Sequence, residues 1–561
     1  TEIYTLSLHD ALPICVGGIW IVNTDCFAGF GQICDDTLDG GDGIGCVNRW
    51  AWHQPVWSTC EDNLLATPES LVSKAAYYDD IAMRLHFHPQ LKWIAPVTLP
   101  KSEVECPQDV AGPCYAPTVP EATATWEDVE YWHTGENDGL WSALYLASQA
   151  FRYGATKDPV GLENIRKLME GEKWRMEITG VPGLFTRQYI PKDVAGIQCP
   201  TDLHEYIPDD IKDDNKWLRV GDDGCIYTVD GGTMEWVKHD LCGLDNYAGW
   251  CLLDNVSQDE YAGHMFALGA IYKLVDDATI KADAAKLLGQ VGRHLADNWM
   301  HFIDWDGRDT EHGKMNIYSF ADSPGFLAVH SLGFMLMAAE ATNNQRLWDF
   351  FDKCLLQKDG GPCEGWPYPE PPYDTEISNM LLYNGPLGCK ANYNNFSMVF
   401  AAIHNLAWFL KDAGLMAIVQ DTFENHFMDD GNQPRALTVQ KNPWFNFGFA
   451  AMKKLGPENP QAFELVEDGI CSLREFQASQ AQRFGNSAEN YAEFCESRFE
   501  GRFMAENPIP VAERCTATFE WWGDPYQLET CTAAPWNIQV PTGYLLPYWM
   551  GRYYGFISQD I

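Results

Sequence analysis

The chain is poor in positive charge: 38 lysines and arginines stand against 79 aspartates and glutamates in 561 residues, a formal net charge of −41. A field of that sign repels a phosphate backbone or an anionic lipid surface, which argues against nucleic acid as a partner. It also tilts a glycan ligand toward neutral sugars, unless arginines or a bound cation offset it locally. The 18 cysteines include no tight C-x-x-C or Cys/His cluster of the kind zinc requires. No uninterrupted apolar run is long enough to span a bilayer, so no transmembrane segment is expected. A basic start followed by an apolar middle, the mark of a signal peptide, is also missing. Residues 1–14, from Thr1 to Ile14, resemble the translation of sequencing-adapter DNA; they are set aside as non-native, and the true amino terminus is expected upstream.

What is present begins with apolar residues, 46% of the chain, enough to bury a large core. The cysteines fall largely in near pairs: Cys26/Cys34, Cys46/Cys60, Cys106/Cys114, Cys199/Cys225, Cys242/Cys251, Cys354/Cys363, Cys471/Cys495 and Cys515/Cys531, with Cys15 and Cys389 left over. Such spacing reads as loop staples, with connectivity left open, and predicts an oxidising compartment: secreted, periplasmic or cell envelope. Residues 15–62 are rich in Gly, Asp and Cys and predict β structure. Within them Asp35, Asp36, Asp39 and Asp42 offer carboxylate oxygens suited to calcium, but the spacing misses the EF-hand pattern and a solvated turn is the simpler reading.

From residue 65 to 561 the pattern is helical. A helix near 69–85 precedes paired segments at 138–154 and 159–178, 257–275 and 278–300, 325–341 and 344–356, 394–411 and 413–427, and 443–455 and 460–478. Asp158-Pro159 reads as an N-cap and first helical residue, with Gly180 as the stop. Tyr261, Met265, Leu268, Ile271 and Val275 recur at three- and four-residue steps, the stripe of a helix that buries one face. First helices are apolar and aromatic, as in Leu140 to Leu146, and second helices more charged, as in Glu163 to Lys167. An inner ring wrapped by an outer one produces that difference. The predicted fold is therefore all-α, an (α/α)6-type toroid or barrel with a short Cys-rich β-containing segment in front.

Parallel inner helices would bring their N-termini to one mouth, where the polar motifs sit. Gly135-Glu136-Asn137-Asp138-Gly139-Leu140-Trp141 supplies two carboxylates, an amide and an indole; read plainly, Asn137 or Asp138 is an N-cap and Trp141 is core. Ser257 and Glu260 match a capping box, which leaves Asp259 and His264, one turn beyond Glu260, as the better functional residues. Asp304-Trp305-Asp306-Gly307-Arg308-Asp309 reads first as a turn. Arg187 with Tyr189, Tyr393-Asn394-Asn395 and Asn442-Pro443-Trp444 complete the mouth candidates.

Several of these stretches carry a resemblance. Lys74-Ala75-Ala76-Tyr77-Tyr78, Glu136 to Tyr153, Ile178 to Gly183, Ser257 to His264, Asp306-Gly307 and the ending Tyr544 to Tyr554 together resemble a family of large secreted bacterial proteins without an assigned activity, over roughly residues 65–555. That family looks like the six-hairpin-glycosidase type of toroid. Some members carry a propeller-like sensor domain in front, so residues 15–62 are read as its truncated remnant. Typical members have D-N-D-G-L-W and D-T-S-S-D-E where this chain has E-N-D-G-L-W and N-V-S-Q-D-E; Asp138, Asp259, Glu260 and His264 match, whereas Asn255 replaces an expected aspartate.

The expected function is a glycoside hydrolase-like activity, in which one carboxyl protonates the leaving oxygen and a second acts as base or nucleophile. Glu136 or Asp138 would face Asp259 or Glu260, with His264 tuning a pKa and Trp141 or Trp444 stacking on a sugar; Asn137, Arg187, Tyr261 and Asn395 would contact substrate. The alternatives are a polysaccharide lyase or sugar epimerase, resting on Tyr261, His264, Asn137 and Arg187, and a non-catalytic glycan-binding or sensing protein.

Overall fold

The structure is a computed structural model that describes residues 32–34, 46–48, 70–106, 113–200, 205–207, 215–380, 393–428, 437–453, 460–476, 481–482, 503–505, 507–511, 514–528 and 534–559. Residues 1–14 and the calcium candidates Asp35, Asp36, Asp39 and Asp42 lie outside the described residues. In segment 15–62, strands Gln32–Cys34 and Cys46–Asn48 pair antiparallel with Cys34 opposite Cys46.

Helix α1 (Ser70–Ile81) precedes five consecutive pairs: α2 (Asp138–Thr156) with α3 (Pro159–Glu177), α4 (Gln258–Leu274) with α5 (Ala278–Asp297), α6 (Pro324–Thr342) with α7 (Gln345–Asp349), α8 (Tyr393–Phe409) with α9 (Ala413–Phe423), and α10 (Pro443–Lys453) with α11 (Pro460–Glu475). Helix α7 runs on as a π-helical turn at Phe350–Leu355. A sixth pair joins distant parts of the sequence. Helix α12 (Thr542–Tyr554) packs on α1, where the Tyr544 hydroxyl donates to Leu71 O at 2.8 Å and Trp549 Nε1 to Asp79 Oδ2 at 3.0 Å. The first helices pack in sequence: α2 on α4, α4 on α6 and α8, α6 on α8, α8 on α10, α10 on α12, and α12 back on α2.

Side-chain distribution explains who is inside. Every residue of α6 from Pro324 to Ala339 is buried, whereas α5 buries a stripe through Ile280, Ala284, Leu287, Leu288, Val291 and Leu295. By length and composition α6 is apolar enough to cross a membrane, but 83% of its most apolar stretch is buried inside the protein, as in a core helix. Caps fix where outer helices begin. Asp158 Oδ1 accepts from Val160 N at 2.9 Å with Pro159 opening α3, and Asp277 caps α5 through Thr279 N and Ile280 N.

The all-α expectation is corrected by a five-stranded antiparallel sheet between the first two full pairs: β1 (Gln188–Ile190), β2 (Trp217–Val220), β3 (Ile226–Val229), β4 (Trp236–Lys238) and β5 (Cys251–Leu253), in spatial order β4-β3-β2-β5-β1. Trp-Leu-Arg-Val in β2 alternates half-buried and buried positions, the two-residue period of a strand. Its apolar face joins Leu218, Val220, Ile226, Leu252 and Tyr189 in a second core with Trp93 and Trp132. The folding back of these strands re-pairs four cysteines relative to their order in sequence: Cys225 bonds Cys242 and Cys199 bonds Cys251, while Cys106–Cys114 and Cys354–Cys363 join near neighbours.

Candidate active site

Two glycines set how closely α2 and α4 approach. A Cβ on Gly139 would run into Glu260 Oε2 and lie 2.8 Å from His264 Nε2, and one on Gly263 would lie 2.7 Å from Leu140 Cδ1. Bare backbone at both positions lets Glu260 reach the first turn of α2, where Leu140 N donates to its Oε2 at 2.8 Å. An orphan N–H at the start of one helix is thus capped by a carboxylate of the next, an arrangement the helix dipole favours. The capping box expected at Ser257 does not form. The Ser257 hydroxyl turns instead to Asp259 Oδ1, which also accepts from Glu260 N at 3.1 Å. Nor does Asp138 cap its own helix: its Oδ2 accepts from Gly135 N at 3.0 Å and from Gln188 Nε2 at 2.5 Å.

Acids far apart in sequence therefore meet in one cluster. His264 Nε2 lies 3.5 Å from Glu260 Oε2, its Nδ1 lies 2.7 Å from Glu172 Oε2 on α3, and the Phe185 ring stacks on the imidazole with centroids 4.2 Å apart. Arg175 Nη1 donates to Arg187 O at 2.6 Å. Asp138, Glu172, Arg175, Glu260 and His264 are each at most 3% exposed. Glu260 Oε1 is buried with no hydrogen-bond partner among the described residues.

Burial decides the charges. It lifts Asp138 to about 8, with the Gly135 N–H and Arg175 acting against it and Glu260 adding to it, so Asp138 carries a proton at neutral pH. Glu260 is also raised by burial, opposed by His264. Burial alone would lower His264, but the carboxylates of Glu172 and Glu260 outweigh it and hold the ring at about 9, as an imidazolium. A neutral carboxylic acid thus sits near a cation flanked by carboxylates.

Around this cluster, Glu136 is exposed, and Asn137, Trp141 and Asp259 are half-buried. Arg187 ties the starts of α2 and α4 together, donating from Nε to Asn255 O at 2.7 Å and from Nη1 to Asn137 Oδ1 at 3.2 Å. Asn255 explains its own presence: at a φ of +56° its Oδ1 accepts from Glu311 N at 2.8 Å while its Nδ2 donates to Asn215 Oδ1 at 3.1 Å, and no aspartate could donate. Nearby, Asp254 and Asp304 share Trp305, whose Nε1 donates to Asp254 Oδ2 at 3.2 Å and whose N donates to Asp304 Oδ1 at 2.8 Å. Burial raises both carboxyls, and the charge of Asp304 raises Asp254 further.

Trp141, one turn along α2 from Asp138, forms part of the wall of a cavity of about 380 Å³, completed by Thr516, Ala517, Thr518, Phe519, Trp522, Gly523 and Gln539. Trp141 and Trp522 meet edge to face with centroids 5.7 Å apart. Other candidates lie elsewhere. Tyr261 is fully buried, stacked 3.5 Å from Phe302, with its hydroxyl donating to Gly183 O. Trp444 is 1% exposed and packs on Phe266 and Phe519. Asn395 is half-buried in the first turn of α8.

Sequence reading passed over Glu172, Arg175, Gln188, Asp254 and Trp522. For Glu172 a signal existed: it shares three- and four-residue steps with Ile165, Leu168, Met169 and Met176, all buried on α3, so a glutamate interrupts an apolar stripe. Trp522 gave none, because its place depends on a loop returning from the far end of the sequence.

No family model matches the chain, and no curated protein matches it. A search of solved structures finds a likeness to a glycoside hydrolase family 76 mannosidase from Bacteroides thetaiotaomicron VPI-5482, at 10% identity and a TM-score of 0.35, covering 87% of this chain and 98% of that one.

Proposed function

We propose that this chain is a carbohydrate-active protein of the glycoside hydrolase kind, built on an α/α toroid of six hairpins and working in an oxidising compartment. The observation that carries the reading is the meeting of Asp138 and Glu260 where α2 and α4 begin. Asp138 keeps its proton at neutral pH, and a leaving glycosidic oxygen needs such a donor. Asp259, half-buried at the start of α4, is the base or nucleophile, and Glu260 with its unpartnered Oε1 supports it. The disulfides support the compartment. Proton abstraction by Tyr261 is disfavoured, because burial raises its hydroxyl well above the usual value and Gly183 O already holds it.

The near-complete burial of Asp138 and Glu260 favours one second reading, a glycan-binding protein in which the cluster only braces the mouth. Release of reducing ends from neutral glycans separates the two. Hydrolysis requires that release, and requires Asp138→Asn and Asp259→Asn to reduce it by about two to four orders of magnitude; unchanged release in both variants removes the catalytic assignment.

A further inference from the structure

The cavity beside Trp141 has a wall of unusual composition for so acidic a protein. None of its eight lining residues carries a charge: the walls are the rings of Trp141, Phe519 and Trp522, with Thr516, Thr518 and Gln539 supplying hydroxyl and amide groups. Thr518 Oγ1 already donates to Gln539 Oε1 at 3.2 Å, which orients both at one edge. Its volume, about 380 Å³, lies at the small end of the roughly 300–1,000 Å³ range of ligand pockets and suits a short piece of glycan. Two indoles meeting edge to face offer a flat face to the C–H side of a sugar ring, while neutral donors and acceptors match its hydroxyl rim. A uronate carboxylate would need an arginine, a lysine or a cation to replace its water, and the wall has none. Glu520 and Asp524 flank Trp522, and the one basic residue of segment 514–528, Arg514, is buried with its guanidinium over the Trp521 ring and its Nε donating to Ile509 O at 2.9 Å.

We propose that this cavity is a subsite for an uncharged pyranose ring, with Trp141 and Trp522 as its platform, and that it rejects uronates. The inference rests on the carbohydrate reading above and names its substrate class. It also gives the loop carrying Thr516 to Gly523 the task of choosing the sugar.

Binding to the full chain is followed by tryptophan fluorescence and calorimetry, with mannotriose, maltotriose and xylotriose as neutral probes and trigalacturonate as the charged one. At least one neutral probe is expected to bind, with trigalacturonate at least tenfold weaker. Trp522→Ala, and separately Thr518→Val with Gln539→Leu, should weaken that binding tenfold or more while leaving the melting temperature of the double variant near the parent value. Because binding is read without turnover, a protein that binds but releases no sugar fails the hydrolase reading and keeps the subsite. Equal or tighter binding of trigalacturonate overturns the uncharged class. Absence of binding by every neutral probe, or full binding in both sets of variants, overturns the subsite.

Discussion

At the scale of single residues, Asp138 shows how burial makes a chemical tool and a structural liability at once. Replacing it by alanine strips acceptors from Gly135 N and Gln188 Nε2, and is expected to cost about 1–3 kcal/mol in urea unfolding. Asparagine keeps the shape and neutrality and should cost less than about 1 kcal/mol at pH 7, so it is the variant that tests chemistry rather than folding. Gly139→Ala makes the opposite kind of test. Its new methyl collides with Glu260 and crowds His264, and overpacking of this sort should cost about 1–3 kcal/mol. An unchanged melting temperature in Gly139→Ala would mean that α2 and α4 do not cross in contact. These residues were partly legible in sequence, since Asp138, Glu260 and His264 stand in readable motifs. Their partner Gln188 was not, because a contact between segments dozens of residues apart leaves no local trace, and Glu172 was marked only by its place in an apolar stripe.

At the scale of elements, the helices and the strands of segment 15–62 were readable, and those of the five-stranded sheet were not. Apolar residues at three- and four-residue steps mark α4 and α5 over several turns, whereas each strand of the sheet is three or four residues long, too short for its alternation to stand out. The sheet is also what reordered the cysteines. Cys199–Cys251 spans 52 residues and Cys225–Cys242 spans 17, so on chain entropy they contribute about 4 and about 3 kcal/mol respectively. Cys199→Ser with Cys251→Ser should therefore lower stability more than Cys225→Ser with Cys242→Ser, measured by urea midpoint under oxidising conditions. The reverse order would argue against this sheet. The pairing of α1 with α12 was equally hidden, because more than 450 residues separate Tyr544 from the Leu71 carbonyl it binds.

At the scale of the whole molecule, the buried acids set a pH dependence whose sign follows directly. Asp138 at about 8 and Glu475 at about 7 hold protons that the unfolded chain has already released. Their contribution is complete below the ordinary carboxylate range and is lost as pH rises through those values. His264, held at about 9, adds a contribution that is present below about 6.5 and lost through 9. The melting temperature should accordingly fall between pH 6.5 and 9, and fall less steeply in Asp138→Asn; a rise over that interval would contradict the buried cluster. His86, His294, His330 and His404, pushed down to about 4 by burial, act at the other end, giving stability that is present above about 6.5 and lost as pH falls toward 4. Self-repulsion from the net charge of −41 should also be relieved by salt, so raising sodium chloride from low to physiological strength should raise the melting temperature.

The joining of α1 to α12 carries a consequence for biogenesis. A ribosome delivers residues 70–81 first and 542–554 almost five hundred residues later, so throughout synthesis the nascent polypeptide is an open arc with greasy flanks and no closing wedge. Folding to the final state must wait for that last piece, so the interval in which apolar flanks stay uncovered is set by the whole length of synthesis.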